Sequence, residues 1–139
     1  ADFIERRMTF DTEADCSVPC HLLLPKGGKA PYPVVICLQG HSKGMHISLG
    51  KPVYPGDEEL IKGGDRDFAV QIVCEGYCAL AIEQRNFGEL GYKEAVSKTP
   101  GCHVSSMSAI INGRTTIGER VVDTMTVIDA LENFDFLDR

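Results

Sequence analysis

Residues 33–44, PVVICLQGHSKG, are the stretch of sequence that decides the fold of this 139-residue chain. The stretch opens with an unbroken apolar run that begins at Val34 and ends at Leu38. Such a run is typical of a short strand buried on both faces of a sheet. It leads into residues 40–44, GHSKG, which match the G-x-S-x-G spacing of a nucleophile elbow. Ser42 is therefore a candidate catalytic nucleophile.

Three other segments predict strands, which makes four predicted strands in all. A predicted helix connects the third strand to the fourth. Residues 3–10 alternate between apolar and polar or charged side chains, whereas residues 18–24 and 77–82 are largely apolar. Between the third and fourth predicted strands, an apolar helical face follows Asp65 as the N-cap and ends at Gly76. The order strand, helix, strand predicts a right-handed βαβ unit with parallel strands.

Polar turns follow the third and fourth strands and should lie at the same edge of the sheet. The second of these turns, residues 83–91, reads EQRNFGELG. Arg85 and Glu89 are expected to form a local ion pair within it, and the alternative is that they line a pocket. In open α/β sheets, ligands bind beyond the carboxyl ends of the parallel strands. Residues 45–64, rich in Gly and Pro, predict a long loop or a set of short turns.

A second helix is predicted near the end of the chain. Thr116 and Glu119 have the spacing of a capping box, and the helix should run to about Glu132. Glu119, Arg120 and Asp123 are expected to provide the cap and the solvated face. The residues expected on the apolar face are Ile117, Val121, Met125 and Ile128.

The composition narrows the classes of function. Apolar residues make up 43% of the chain and charged residues 24%, which is ordinary for a single globular domain over residues 1–139. The formal net charge is −6, so we expect neither a nucleic acid nor an anionic membrane as partner. No apolar stretch approaches the roughly 18 residues of a membrane-spanning helix.

The six cysteines favour a reduced, cytoplasmic protein. A chain with an adequate core does not need disulfides, and Cys37 lies in an apolar run, where cysteine behaves as a small hydrophobic residue. A zinc site is the alternative, although the spacings match no standard zinc finger. Its candidate ligands are Cys16, Cys20, His21, Cys102 and His103.

Three stretches together resemble the N-terminal half of an α/β-hydrolase of the acetyl-xylan-esterase and dienelactone-hydrolase-like branch. They are PVVICLQGHSKG, FAVQIVCEGYCALAIEQRNFGE and GRTTIGERVVDTMTVIDALENFDFLD, and they are spread over nearly the whole chain. The resemblance implies an α/β fold with a mixed, mostly parallel sheet of about four strands in the order 1-2-4-3 and flanking helices. It also implies serine acyl-enzyme hydrolysis of a small ester, with no metal or organic cofactor.

In that family the turn formed here by Gly40 and His41 belongs to the loop that stabilises the oxyanion. The catalytic serine, acid and histidine follow later in the chain. The resemblance therefore implies that residues 1–139 are the N-terminal portion of the fold and that the triad lies outside them. Glycine lets such a turn approach a ligand closely, and its backbone N–H groups can donate to a carbonyl oxygen.

Ser42 remains an alternative nucleophile. It would need a histidine base and an acid that orients the base. The available bases are His41, His46 and His103, and the available acids are Asp57, Asp65 and Glu89. An elbow also needs a helix directly after the serine, and Pro52 leaves room for only a short helical run. The sequence therefore favours an oxyanion-type turn over an elbow.

The incomplete sheet provides a second functional hypothesis. In the implied order, the strand from Val34 to Leu38 lies at a sheet edge, and an unpaired apolar edge recruits another chain. The first hypothesis is thus an ester-hydrolase domain whose catalysis depends on segments outside residues 1–139. The second is a non-catalytic interaction module, with a homodimer formed through this edge.

Overall fold

A computed structural model describes residues 2–91 and 102–138 of the chain. They form one five-stranded sheet with helices on both faces. The strands are β1 (Phe3–Glu13), β2 (Cys16–Pro25), β3 (Tyr32–Cys37), β4 (Cys78–Ile82) and β5 (Leu137–Asp138). The helices are α1 (Asp57–Lys62), α2 (Phe68–Cys74), α3 (Cys102–Ile111) and α4 (Thr116–Leu131), with a 3₁₀ turn at Gly88–Leu90. Within these residues, no helix is long and apolar enough to cross a membrane.

The strand order β1-β2-β4-β3-β5 confirms the predicted order and adds a short fifth strand. The sheet is mixed: β2 runs antiparallel to β1 and β4, whereas β3 runs parallel to β4 and β5. β5 pairs with β3 only at Tyr32 and Pro33. Beyond Pro33, no described residue pairs with the outer edge of β3, so an open edge remains there.

The core lies on both faces of β4, whose five residues are all buried. Cys78, Leu80 and Ile82 pack in the cluster that includes α4, and Ala79 and Ala81 pack in the cluster that includes α2. This division follows from the period of two in a strand, which sends successive side chains to opposite faces. A continuous apolar run therefore predicts a strand covered on both sides, as found here.

The segment between β3 and β4 differs from the prediction in two places. Asp65 has a φ of 47°, so it lies in a left-handed turn, and the residue that precedes α2 is Asp67. Residues 45–64, predicted as a long loop or a set of short turns, contain turns at residues 45–50 but also the short helix α1. The first turn of α1 is formed by Asp57, Glu58 and Glu59. Acidic side chains in a first turn are favourable because they face the positive end of the helix dipole.

α4 ends as predicted, but its N-cap is Thr115 rather than Thr116. The Thr115 hydroxyl accepts a hydrogen bond from the Gly118 N–H at 3.0 Å, which satisfies one of the unpaired donors of the first turn. Thr116 is buried and its hydroxyl lies 3.0 Å from that of Ser106. Glu119 therefore closes no capping box.

The apolar face predicted for α4 is exposed. Ile117 is 67% exposed and Met125 is 59% exposed. The buried residues of α4 are Thr116, Asp123, Val127 and Leu131. The helix carries apolar residues on two sides, so periodicity alone does not select the side that meets the sheet. Ile117, Val121, Met125 and Ile128 thus form an uncovered apolar surface, the α4 outer face.

Candidate functional site

The turns after β3 and β4 are joined directly by hydrogen bonds at the carboxyl end of the sheet. The Gly88 N–H donates to the Lys43 carbonyl at 2.8 Å. The Gln84 side chain donates to the Gln39 carbonyl at 2.6 Å. The predicted placement of both turns at one edge is therefore correct, and each turn holds the backbone of the other.

Glu83, the first residue after β4, joins the same two turns from inside the protein. It is 1% exposed, and its Oε1 accepts hydrogen bonds from Gln39 Nε2 at 3.1 Å and the Met45 N–H at 3.0 Å. Its Oε2 accepts from the Glu89 N–H at 3.3 Å. Burial raises the pKa of Glu83 to about 7, even though these hydrogen bonds act in the opposite direction. The sequence analysis had not singled out this residue as a site.

Two glycines allow this close approach of the turns. A side chain at Gly88 would overlap the Glu83 carboxylate, and the Gly88 φ of +42° is itself unfavourable for other residues. A Cβ at Gly44 would lie 2.8 Å from the Gly88 Cα, at a φ of +150°. The second glycine of the G-x-S-x-G pattern therefore has a packing role against the neighbouring turn.

A buried carboxylate, Asp57, fixes the far end of the turn after β3. Its side chain is fully buried and accepts hydrogen bonds from Lys43 Nζ at 2.6 Å and His46 Nε2 at 3.1 Å. The backbone N–H groups of Val53 and Tyr54 also donate to it. Burial alone would raise the pKa of Asp57, but the Lys43 and backbone hydrogen bonds lower it below its ordinary value. Burial lowers the pKa of His46, which favours the neutral imidazole.

Ser42 is not assembled into a triad. Its hydroxyl oxygen is buried and has no hydrogen-bond partner among the described residues, so no histidine is hydrogen-bonded to it in this structure. His46 contacts Asp57 through Nε2, which gives a base and an acid but leaves the serine unconnected. The next helix along the chain is α1, which begins only at Asp57. The strand-turn-helix geometry of an elbow is therefore absent at this turn.

None of the other candidate bases and acids is hydrogen-bonded to the Ser42 hydroxyl. His41 is exposed, and its ring packs edge-on against Phe87 with centroids 5.8 Å apart. Glu89 pairs with Arg7 on β1 at 2.6 Å, and the Asp65 carbonyl accepts from a glutamine side chain on α2. His103 lies in the first turn of α3.

The front of the turn at Gly40 is open. Gly40 is exposed, and a Cβ added to it would meet no atom within 4 Å. Behind it, Gln39 and Met45 are buried and hydrogen-bonded to Glu83. The turn is thus held by hydrogen bonds on its buried side and is accessible to solvent at Gly40. This geometry is compatible with backbone N–H groups that donate to a bound ligand.

Arg85 forms a buried ion pair that the sequence analysis assigned wrongly. It pairs with Asp123 of α4 rather than with Glu89, through Nε to Oδ2 at 2.6 Å and a second nitrogen to Oδ1 at 2.7 Å. Asp123 also accepts from the Thr12 hydroxyl at 2.5 Å, and Arg85 contacts Glu13 at 3.1 Å. Asp123 is 3% exposed and therefore does not lie on the solvated face of α4.

Arg120 supports the turn after β4 from the same helix. Its guanidinium lies over the Phe87 ring at 4.2 Å from the centroid and donates to the Arg85 carbonyl at 2.7 Å. It also contacts Cys102 Sγ at 3.6 Å. Cation–π contacts of this kind contribute roughly 0.5–2 kcal/mol. α4 thus fixes the turn after β4 through both Asp123 and Arg120.

The zinc arrangement considered above is not formed. All six cysteines are free thiols. No group of three or more His, Cys, Asp or Glu side chains in residues 2–91 and 102–138 could hold a metal ion. Burial raises the pKa of the Cys20 thiol to about 12, so this side chain is a neutral part of the core.

Comparison with solved structures supports the fold class. The chain superposes on a protein assigned as an acetyl xylan esterase, from Bacteroides fragilis, with a TM-score of 0.87 at 20% sequence identity. The match covers 98% of this chain and 36% of that protein, so the chain spans about a third of its length. An α/β-hydrolase-like fold, expected from the sequence resemblance, is thereby confirmed.

A second structure gives a looser match. It is the polyethylene-glycol complex of a cold-adapted esterase from an Arctic intertidal metagenomic library, with a TM-score of 0.49 and 18% identity. The match covers 94% of this chain and 45% of the esterase. No protein-family model matches the sequence, and no curated protein matches it.

Proposed function

We propose that this chain is part of a carboxylic ester hydrolase and provides the oxyanion-stabilising turn, while the nucleophile and its partners come from outside these 139 residues. The observation that carries this proposal is the turn at residues 39–45, which is held from behind by Glu83 and open in front at Gly40. Two facts support it further: the chain spans about a third of the esterase-like structure it resembles, and the Ser42 hydroxyl has no hydrogen-bond partner within the described residues.

In this proposal the turn acts through its backbone at Gly40 and His41. When a serine attacks an ester, negative charge develops on the carbonyl oxygen, and prepositioned N–H groups stabilise that charge. One such donor contributes roughly 2.7–4 kcal/mol to the barrier in an intact enzyme. Without a nucleophile this contribution has no reaction to act on. The free thiols suit a reducing compartment such as the cytoplasm.

The test is hydrolysis of p-nitrophenyl acetate, a small activated ester, by the 139-residue chain and its Ser42→Ala variant. We expect both proteins to hydrolyse it no faster than a catalytically inert protein of similar thiol and amine content. Turnover by the wild type that Ser42→Ala abolishes would show that Ser42 is the nucleophile and would overturn the proposal.

A second candidate function is self-association, which the uncovered surfaces favour. Two apolar pockets, of about 370 and 280 Å³, lie between the sheet at β3 and the α4 outer face. Val34 and Ile36 line the sheet side of the first pocket, and Leu38 lines that of the second. Two copies related by a two-fold axis could pair their β3 edges and bring both outer faces into contact. In this function the chain is a non-catalytic interaction module.

Light scattering at 1–100 μM tests this second candidate, with the concentrations chosen to bracket a micromolar dissociation constant. The wild type should reach the mass of a dimer, and Val121→Lys on the α4 outer face should be monomeric. Ile111→Lys is the matched control, because Ile111 is 81% exposed on α3 and lines neither of the two pockets. A wild-type monomer over the whole range would exclude the homodimer.

A further inference from the structure

Glu83 is a buried acid, and no cation in residues 2–91 and 102–138 forms an ion pair or hydrogen bond with it. Its three hydrogen-bond donors, Gln39 Nε2 and the N–H groups of Met45 and Glu89, are all neutral. A buried carboxylate normally has a cationic partner because desolvation of an unpaired charge is costly. A neutral carboxyl would remove this cost, provided that its O–H finds an acceptor.

Gln39 supplies that acceptor. Its side-chain Oε1 is buried and has no hydrogen-bond partner among the described residues, although its Nε2 lies 3.1 Å from Glu83 Oε1. A half-turn of the Gln39 amide exchanges these two atoms, which are nearly equal in size. Oε1 then faces the Glu83 carboxyl and can accept its proton, while Met45 and Glu89 keep their hydrogen bonds.

We propose that Glu83 and Gln39 form a proton-controlled latch between the turns after β3 and β4. The neutral carboxyl donates to Gln39 Oε1 and keeps the turns closed. Loss of the proton leaves a buried anion, and because an anion gains more from hydration, it favours opening of the turns to water. The latch thus controls how firmly the turn at Gly40 is held.

The surroundings of Glu83 are consistent with a proton that exchanges near neutral pH. Within the described part of the chain, the charged and titratable groups that act on it are Glu89 in its own turn, Arg7 on β1 and the thiol of Cys20 on β2. Arg7 is already paired with Glu89, so it does not neutralise Glu83. The charge of Glu89 acts with burial to raise the pKa of Glu83. In the turn after β3, Lys43 and His46 contact Asp57 instead.

Amide hydrogen exchange measures the opening directly. The protection factors of the Met45 and Glu89 amides should fall as the pH rises from about 5 to 7, by at most about tenfold per pH unit, and stay level above pH 7. The carboxyl carbon of Glu83, followed by NMR, should titrate with a midpoint near 7. Glu83→Gln carries a permanent side-chain donor for Gln39 Oε1, so its protection should be high and independent of pH.

A matched control separates the latch from simple packing. Gln84→Met removes the other glutamine hydrogen bond between the turns, the one to the Gln39 carbonyl, and does not touch Glu83. This variant should lower the protection factors of the Met45 and Glu89 amides by the same factor at every pH. Gln39→Met should lower protection mainly below pH 7, because the neutral carboxyl loses its acceptor.

Wild-type protection that does not change from pH 5 to 8, or a Glu83 midpoint below 5.5, would overturn the latch. Persistence of the pH dependence in Glu83→Gln would overturn it equally. If Glu83→Gln does not fold, the wild-type titration and exchange profiles decide the question. None of these measurements uses ester hydrolysis, so the latch and the proposed function can fail separately.

Discussion

The ion pair between Arg85 and Asp123 allows a quantitative prediction about the stability of this fold. Asp123→Asn keeps the shape of the side chain but removes its charge, and it places an amide N–H where Arg85 or Thr12 now donates. Because both ion-pair partners are largely buried, the change leaves a guanidinium with too few acceptors in a poorly solvated place.

The expected loss in the free energy of unfolding follows from the burial of the ion pair and from the contact that Arg85 keeps. Loss of one member of a buried ion pair costs about 3–5 kcal/mol. Arg85 keeps its contact with Glu13 at 3.1 Å and its side chain is 14% exposed, so the lower end of this range applies. We expect a loss of about 3 kcal/mol in the free energy of unfolding. For a domain of this size, that loss lowers the Tm by about 10 °C.

Urea denaturation followed by circular dichroism measures this change. A loss of about 3 kcal/mol at an m-value of about 2 kcal/mol/M moves the midpoint by about 1.5 M urea. Asp129→Asn is the control: it is the same chemical change on the same helix at an exposed position, and it should cost less than about 0.5 kcal/mol.

A double-mutant cycle tests the coupling itself. Arg85→Met and Asp123→Leu should each destabilise the protein strongly, whereas the double variant should be more stable than the sum of the two losses predicts. Equal midpoints for Asp123→Asn and Asp129→Asn, or additive effects in the cycle, would refute the assignment of this ion pair as a stabilising contact between α4 and the turn after β4.

Three further predictions concern single contacts. Gly88→Ala should lower the free energy of unfolding by about 1–3 kcal/mol, because the new Cβ overlaps the Glu83 carboxylate at a left-handed φ. Gly76→Ala is the control: Gly76 also has a left-handed φ, but a Cβ there meets no atom within 4 Å, so this change measures the backbone strain alone. Thr115→Ala should cost about 1 kcal/mol by loss of the α4 N-cap, whereas Thr115→Ser, which keeps the hydroxyl, should cost much less; equal losses would argue against the cap. Glu83 ionises near pH 7 in the native state but at its ordinary value of 4.5 when unfolded, so the native state binds more protons between these values and stability falls as the pH rises from about 4.5 to 7. The stability difference between wild type and Glu83→Gln, measured by urea titration at each pH, should therefore change by about 3 kcal/mol across this window, and a constant difference would contradict the reasoning.

The two uncovered surfaces have a common physical origin. The α4 outer face and the side chains of β3 line two neighbouring apolar pockets, and both surfaces would gain stability from burial. Burial of such a surface contributes roughly 25 cal/mol per Å². A homodimer and a larger esterase-like domain are alternative ways to cover it, and the light-scattering measurement addresses the first of them directly.

Local patterns predicted the elements of this fold well where one segment determines its own structure. The apolar run from Val34 and the run YCALAI both became strands because no other secondary structure satisfies so short an apolar segment between polar turns. Burial on both faces was correct for β4 but wrong for β3, in which only Cys37 is buried and Val35 is 37% exposed. The two polar turns were correctly placed at one sheet edge, since parallel strands bring their carboxyl ends together. The cap of α4 was predicted one residue late because Thr115 and Thr116 offer the same hydroxyl.

The partners of charged and polar side chains were decided only by the tertiary structure. Nothing in the spacing of Arg85 shows that it faces Asp123, 38 residues away, rather than Glu89 in its own turn. Burial of Glu83 likewise depends on the packing of two turns that lie far apart in sequence. The sequence correctly predicted a row of apolar residues along α4. Which side of the helix packs on the sheet depends on the strands beside it, and the predicted side is exposed. Sequence by itself therefore determined β1 to β4, α2, α4 and their order, because these arise from local backbone and burial preferences, whereas α1, α3 and β5 were not predicted. Tertiary structure decided which side chains are buried together, and with them the geometry of the turn at Gly40, because those contacts join residues that local patterns cannot relate.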